Sequence, residues 1–330
     1  MTAPRILVTG GAGYIGSHAC KALAANGFRP VAFDNLSLGH RDAVRWGPFV
    51  YGDILDTPRL AEAMRAHGIS AVIHFAALAY VGESVHIPAR YYRTNVGGTL
   101  SLLEACRLAD VHHLVFSSSC ATYGIPDRLP VSEAAEQCPI NPYGRTKLMA
   151  EEMLADESHA TGLHFAALRY FNAAGADPQL ELGERHDPET HIVPLTIRAA
   201  LGQAGPLEIY GDDYPTPDGT CVRDFVHVSD LADAHVRALD HLLSGGDNLA
   251  ANLGSGTGTS ILQLIRAVER QMNCSVPVHV APRRIGDPPA LYADVTRARG
   301  LLGFAPRHSD LDAIVATAVR YHANANGGYS

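Results

Sequence analysis

Tyr143 and Lys147 stand four residues apart in the run Tyr143-Gly144-Arg145-Thr146-Lys147, a spacing that stacks both side chains on one face of a helix. A free phenol with a pKa near ~10 is a poor base at neutral pH, and a neighbouring cation lowers that value. One positive charge ~6 Å away, at an effective dielectric of about 20, is worth roughly 3 kcal/mol, or about two pK units. Such a pair can take up and return a proton. Upstream lies the run Ser117-Ser118-Ser119-Cys120-Ala121-Thr122-Tyr123-Gly124, from which Ser119 or Thr122 can hydrogen-bond a reacting hydroxyl.

A reversible base of this kind is useful beside a hydride acceptor, and the beginning of the chain has residues suited to holding one. Thr9-Gly10-Gly11-Ala12-Gly13-Tyr14-Ile15-Gly16 follows a short apolar run and opens a helical pattern. Glycines at 10, 13 and 16 permit a tight turn and let backbone approach a pyrophosphate, whose charge the free N–H groups of the helix N-terminus stabilise. The spacing is GxxGxxG, the form found in short-chain dehydrogenases, and not GxGxxG. Asp34, at the end of the second expected strand, can accept hydrogen bonds from the adenosine ribose. A carboxylate there repels a 2′-phosphate, so NAD is expected and not NADP. Asp53-Ile54 ends the third strand where adenine can rest, and Phe75-Ala76-Ala77 ends the fourth with small residues that let a cofactor pass close to the backbone.

These groups need a scaffold, and the apolar patterning supplies one. Short β-branched runs at 5–9, 30–34, 49–53, 71–76, 113–118 and 164–171 read as strands, and residues 14–26, 58–67, 88–109 and 143–160 have helical spacing. Strand and helix in alternation require crossover connections, hence an α/β fold with a doubly wound parallel sheet. From Asn172 onward the pattern gives way to a Pro- and Gly-rich stretch. Residues 222–228 look like a further strand, Ser229 is placed to cap a helix running to Leu243, and 261–272 is amphipathic. Ser309-x-x-Asp312 fits a capping box for a last helix, and 324–330 reads as a frayed tail. Two domains are expected, 1–175 for the dinucleotide and 176–330 for the substrate, with some C-terminal segments packing back onto the first. The run His186-Asp187-Pro188-Glu189-Thr190-His191 lacks metal-ligand spacing on a regular element and reads as loop, so no metal is expected.

Composition narrows the function classes. The 330 residues are 47% hydrophobic and 18% charged, with 26 Lys and Arg against 34 Asp and Glu, a net charge of −8. No apolar run approaches the roughly 18 residues of a membrane span, and no basic cluster suits a phosphate backbone. Neither membrane nor nucleic acid is an expected partner. The first residues have no basic segment followed by an apolar core and cleavage site, so a cytoplasmic location is expected. Cys20, Cys106, Cys120, Cys138, Cys221 and Cys274 are scattered without paired spacing and read as free thiols.

Together these residues carry a resemblance. The chain looks like an extended short-chain dehydrogenase/reductase and, within that superfamily, is similar to the UDP-glucose 4-epimerases over essentially its full length. The similar stretches are HFAALAYVGES (74–84), NPYGRTKLMAE (141–151), LRYFNAAGA (168–176), DYPTPDGTCVRDFVHVSDLADAH (213–235) and RRIGDPPALYAD (283–294). The resemblance implies that Tyr143 is the base, that Lys147 tunes it and binds the nicotinamide ribose, and that Ser119 assists at the 4-hydroxyl. It implies NAD contacts from Gly10, Gly13, Tyr14, Ile15, Gly16, Asp34, Asn35, Asp53, Ile54, Phe75, Ala76, Ala77, Thr94 and Phe171. It implies contacts to the UDP-sugar from Asn172, His191, Ile192, Ile209, Tyr210, Arg223, Arg284 and Asp287, with Leu291 beside the sugar. Transfer of the C4 hydride to retained NAD, turning of the 4-keto sugar and hydride return would invert C4. A homodimer through the helices near 88–109 and 143–160 is also implied.

Ala79 stands where many of these epimerases carry lysine, and Ala121 where many carry threonine. A 4,6-dehydratase needs an acid pair at the turn after the fifth strand, and a decarboxylase usually has glutamate there. Cys120 and Ala121 disfavour both, and the intact Tyr/Lys pair disfavours a non-catalytic NAD(P) sensor. UDP-glucose/UDP-galactose is the expected pair, with UDP-xylose/UDP-arabinose or UDP-N-acetylglucosamine as alternatives.

NAD is expected to copurify with the chain and NADP not to replace it, because Asp34 is followed by Asn35 and not by an arginine. Identifying the dinucleotide released by denaturation checks this. Recovery of NADP, or of active enzyme free of nucleotide, overturns it.

Overall fold

The computed structural model describes residues 3–284 and 287–325. The first half alternates as expected: β1 (Arg5–Thr9), α1 (Tyr14–Ala25), β2 (Arg29–Asp34), β3 (Phe49–Tyr51), α2 (Thr57–His67) and β4 (Ala71–His74). There follow α3 (Val81–His86), α4 (Pro88–Tyr91), α5 (Gly98–Leu108), β5 (His113–Ser119), α6 (Pro142–Thr161) and β6 (His164–Tyr170). The helix expected over 88–109 is interrupted by a π-helical turn, Tyr92–Gly97. Within it Asn95 turns its amide away from the helix, accepting from the Leu78 N–H at 2.8 Å and donating to the Leu78 carbonyl and the Thr146 hydroxyl. π-Turns of this kind mark functional sites more often than chance.

Strands three and four end earlier than expected. At Asp53 the side chain accepts the Leu55 N–H at 2.9 Å, a local bond that closes a turn in place of a strand. After His74 the Phe75 and Ala76 N–H groups both donate to the Thr9 carbonyl, at 3.0 and 3.1 Å, which folds the end of β4 over the end of β1.

The second half contributes β7 (Asn172–Ala174), α7 (Ile192–Ala200), β8 (Leu207–Tyr210), β9 (Val222–Arg223), β10 (Phe225–His227), α8 (Val228–Leu243) and β11 (Leu249–Leu253). It continues through β12 (Thr259–Ser260), α9 (Ile261–Met272), β13 (Val278–Ala281), β14 (Ala290–Leu291), α10 (Thr296–Leu302) and α11 (Leu311–Ala325). The strand expected over 222–228 is two strands in different sheets, β9 beside β12 and β14, and β10 beside β7. Asp224 divides them, because its carboxylate gathers the N–H groups of Ser255, Gly256 and Ala293. Helix α8 is capped by the His227 ring, which accepts the Ser229 N–H, and not by Ser229. At α11 the cap is Asp310, which accepts from Asp312 and Ala313. Ser309 is occupied elsewhere, donating to Asp230 at 2.7 Å. Helix α11 includes 324 and 325, and the rest of the expected tail lies outside the described residues.

Seven parallel strands form the main sheet in the order β11-β6-β5-β4-β1-β2-β3. One face packs on α1 and α8 through Ile6, Val8, Leu23, Leu231 and Leu239. The other packs on α2, α5 and α6 through Leu60, Met64, Leu102 and Leu154. A third apolar cluster joins α7, α9 and α11 through Ile197, Leu264 and Ile314. Thus β11 and α8, from beyond residue 176, complete the sheet and one of its covers. All six cysteines are free, and no helix among the described residues is long and apolar enough to cross a membrane.

Leu239 in α8 is 0% exposed, whereas Leu301 in α10 is 48% exposed. Leu239→Ala is expected to lower the unfolding free energy by about 2–5 kcal/mol, and Leu301→Ala to change it by less than about 0.5 kcal/mol. Urea denaturation of the two variants checks this; equal losses would mean that α8 does not seal the sheet.

Candidate active site

The sheet order reverses between β1 and β4, the place in a doubly wound fold where a crevice opens at the carboxyl ends of the strands. The glycine loop lines it. Gly10 has φ +72, and a Cβ there would come within 2.7 Å of the Ala76 nitrogen. A methyl on Gly16 would run into the Gly10 carbonyl oxygen. Gly13 caps α1 with no side-chain bond, and the first turn has no acidic residue, so its N–H groups face the crevice as a site for negative charge. Beside the loop, Asp34 is buried and accepts the Ala12 N–H at 3.0 Å and the Leu36 N–H at 2.7 Å. Burial raises its pKa, and those two N–H groups oppose the rise. Asn35 donates to Asp53 at 2.9 Å, so the pair forms one polar edge. This cradle fits a dinucleotide: room that side chains would fill, an uncapped helix start and an acid for a ribose diol. Ile54 and Phe171 bury their side chains in the cores. Phe75 packs on His235 of α8, with ring centroids 4.7 Å apart, and Thr94 lies in the π-turn.

Helix α6 begins at Pro142 after Asn141, whose side chain accepts the Gly144 N–H at 2.8 Å. That start sets Tyr143 and Lys147 one turn apart and faces both inward, 7% and 4% exposed. The Lys147 ammonium lies 5.9 Å from the Tyr143 ring centroid and 4.9 Å from that of Phe116, and donates to the Ser117 carbonyl at 2.7 Å. Burial pushes Lys147 down to about 7, with Glu151 one turn further on pulling the other way. For Tyr143, burial raises the pKa above its ordinary value, nearby Tyr170 adds to the rise, and a hydrogen bond with Ser119 opposes it. In the protein by itself, therefore, Tyr143 is not lowered as the spacing alone suggests. Desolvation is the largest effect on the phenol, and it drives Lys147 toward its neutral form as well.

Of the two hydroxyls that the sequence offers, Ser119 is the one that bonds Tyr143. Thr122 is fully buried and donates to the Ser119 carbonyl at 3.0 Å, whereas Ser119 Oγ accepts the Ala121 N–H at 3.1 Å and also bonds Tyr143. Behind the pair lies a buried network not anticipated from sequence. Arg169 donates to both Glu151 oxygens, at 2.6 to 3.1 Å, and to the Tyr123 hydroxyl at 3.0 Å, and Ser118 also donates to Glu151. The i to i+4 spacing of Lys147 and Glu151 was its one visible signal.

The residues expected at the UDP-sugar are grouped less closely. Arg223 donates to the Val222 and Pro288 carbonyls and lies 3.6 Å from Asp287. Leu291 is its partner in register, buried in the main core. Arg284 stacks 4.0 Å over the Tyr210 ring; Ile285 and Gly286, in the same motif, lie outside the described residues. Ile209 points into the third apolar cluster. Asn172 donates its amide to the Asp224 carbonyl at 2.9 Å, which leaves its oxygen available. His191 precedes Ile192 at the start of α7, and its ring lies 2.7 Å from Glu184. Burial disfavours its charge, but Glu184 and Glu189 outweigh that and lift His191 to about 10.

Residues 6–254 match the NAD dependent epimerase/dehydratase family. A UDP-glucose 4-epimerase of Rhizobium leguminosarum bv. trifolii is 52% identical over 326 residues, covering 99% of each chain. The crystal structure of the UDP-glucose 4-epimerase from Brucella ovis in complex with NAD is 61% identical, with a TM-score of 0.94 over 96% of this chain and 98% of that one. That of Stenotrophomonas maltophila, with bound NAD and formylated UDP-arabinopyranose, is 43% identical, with a TM-score of 0.94 over 98% and 99%. The family model covers most of the chain, the relatives match it over nearly its whole length, and the chain belongs to the NAD dependent epimerase/dehydratase family.

Proposed function

We infer that this enzyme is an NAD-dependent isomerase that interconverts UDP-glucose and UDP-galactose by inverting C4 through a 4-keto sugar. The observation that carries the reading is the buried Tyr143, Lys147 and Ser119 group at the carboxyl end of β5, beside the dinucleotide cradle. NAD supplies a reversible hydride acceptor and a positive ring when bound in that cradle, held by the glycine loop, Asp34 and Lys147. Tyr143 takes the proton of the 4-hydroxyl and returns it after the ketose has turned. Ser119 holds the hydroxyl in line with the phenol. Lys147 biases the phenol toward its anion and can reach the nicotinamide ribose. Arg223, Arg284, Asp287 and Asn172 retain the uridine diphosphate while the sugar turns, since guanidinium groups match diphosphate oxygens.

The relative crystallised with a UDP-arabinopyranose derivative makes the pentose pair the second reading. We take Leu291 as the residue that sets sugar scope by bulk, and Leu291→Tyr separates that role from core packing. Selective loss of N-acetylhexosamine turnover supports it, and equal loss on every sugar refutes it. The chain is read as a homodimer through the helices near 88–109 and 143–160, where Leu100, Leu108 and Met149 are 60, 55 and 39% exposed. Light scattering should give two chains per particle; a monomer refutes that reading.

With a panel of UDP-sugars and no added cofactor, UDP-galactose and UDP-glucose are expected to be turned over fastest. Tyr143→Phe should lose several orders of magnitude in kcat while UDP-sugar binding survives. Lys147→Ala should lose a comparable amount, and its kcat should climb more steeply with pH between 7 and 10 than that of the native enzyme. The phenol must then shed its proton without a neighbouring cation, and rising pH is what favours the anion. Near-normal turnover by Tyr143→Phe would remove the assignment.

A further inference from the structure

We propose that Glu184, His186, Glu189 and His191 form a structural zinc site that clamps the loop before α7 onto the start of α1. The loop closes so that one ligand atom from each residue lies within 4.8 Å of all the others. Four buried atoms there, one oxygen each on Glu184 and Glu189 and Nδ1 of His186 and His191, have no hydrogen-bond partner among the described residues. The Glu184 and Glu189 side chains are only 4% and 1% exposed. Leaving several such groups unmet costs free energy at each of them. The opposite charges are close, but the ring N–H bonds do not point along the contacts.

The four side chains are grouped closely enough to share one ion. A zinc ion bound tetrahedrally at about 2.0–2.1 Å sets its ligand atoms about 3.3 Å apart. Here His186 Nδ1 lies 3.4 Å from Glu184 Oε1, close to that spacing, and His191 Nδ1 lies 2.7 Å from the same oxygen, a contact that ligation would open by a few tenths of an ångström. Glu189 is oriented for the purpose: its Oε1 accepts the Thr190 and His191 N–H groups at 2.9 and 3.0 Å, which leaves Oε2 as the unmet atom. Outer bonds of this sort fix ligating carboxylates. Two imidazoles with two carboxylates suit zinc, and the carboxylates balance its charge once the ion has displaced the protons from both rings. With all four positions taken by protein, no place remains for water or substrate, so the ion is structural.

The position gives the site its purpose. The Tyr14 ring lies edge-on to His186 at 6.4 Å, and its hydroxyl donates to the Gly175 carbonyl at 2.7 Å. The Tyr80 ring is 6.0 Å from both His186 and His191. A filled site therefore ties the first turn of α1 and the segment after β4 to the entrance of α7. The inference goes beyond the epimerase reading and does not depend on it.

The test uses the holoenzyme, purified without a histidine tag. Metal analysis should find about one zinc per chain. Dialysis against a chelator should lower the melting temperature, and micromolar Zn²⁺ should restore it, with bound NAD monitored separately. Co²⁺ in place of zinc should give the visible absorption of a four-coordinate site without a thiolate band. Glu184→Gln and His186→Ala should each weaken zinc binding by about tenfold or more. No retained metal with no change in melting on Zn²⁺ addition overturns the proposal. So does an octahedral or thiolate cobalt spectrum, or unchanged affinity in either folded variant. If both variants fail to fold, reloading and cobalt spectroscopy of the native chain decide the matter.

Discussion

An amine and a phenol share one buried helical turn, and much of the molecule is arranged around the desolvation of that pair. Lys147 and Tyr143 have little solvent to support a charge, so each is driven toward its neutral form. Charge can appear on them only when groups around them supply what water does not. The Ser117 carbonyl and the Phe116 ring face the ammonium, and Ser119 faces the phenol. Glu151 lies one turn below Lys147, but its charge is already matched by Arg169. It therefore favours the ammonium without neutralising it by itself. A buried pair of this kind punishes the loss of either member by about 3–5 kcal/mol, which holds α6 firmly to β6.

That network also explains why the two halves of the chain are one structure. Arg169 reaches Tyr123, Tyr123 donates to Asn252 in β11, and the Asn252 amide donates to the Val131 carbonyl. Asn252 has 0% exposure, and a polar chain like this must be satisfied throughout to be stable. Strand β11 therefore belongs to the catalytic support as much as to the sheet edge. Helix α8 covers the same region from the other side, placing His235 against Phe75 and Tyr170. Residues after 176 thus complete the main sheet and cover the face opposite α6.

The sheet and the reactive pair were legible because they rest on local rules. Apolar runs of strand length, glycines where backbone must touch backbone at Gly10 and Gly16, and an i to i+4 pair each leave a pattern in adjacent residues. What escaped the sequence depends on distant partners. Ser229 and Ser309 look like helix caps, yet His227 and Asp310 hold those positions because Ser309 is engaged by Asp230. The strand at 222–228 divides because Asp224 collects donors from residues 255, 256 and 293. Glu184 and His191 are separated by a loop without periodicity, and only the fold shows that their side chains meet.

The two departures at Ala79 and Ala121 have different structural consequences. Ala121 packs with Leu78, Tyr91 and Tyr143, so a methyl stands against the phenol on that side and Ser119 is the hydroxyl that bonds it. The Ser119 oxygen accepts the Ala121 N–H, which leaves its own hydrogen and one lone pair for further partners, the phenol among them. At Ala79 the missing lysine is not replaced on the same loop. The next residue, Tyr80, presents its ring to His186 and His191, and the carboxylates of Glu184 and Glu189 favour positive charge on that side of the crevice. A histidine charge held between buried carboxylates is fixed by the fold, whereas a lysine on the loop after β4 would have to be held by its own long stem.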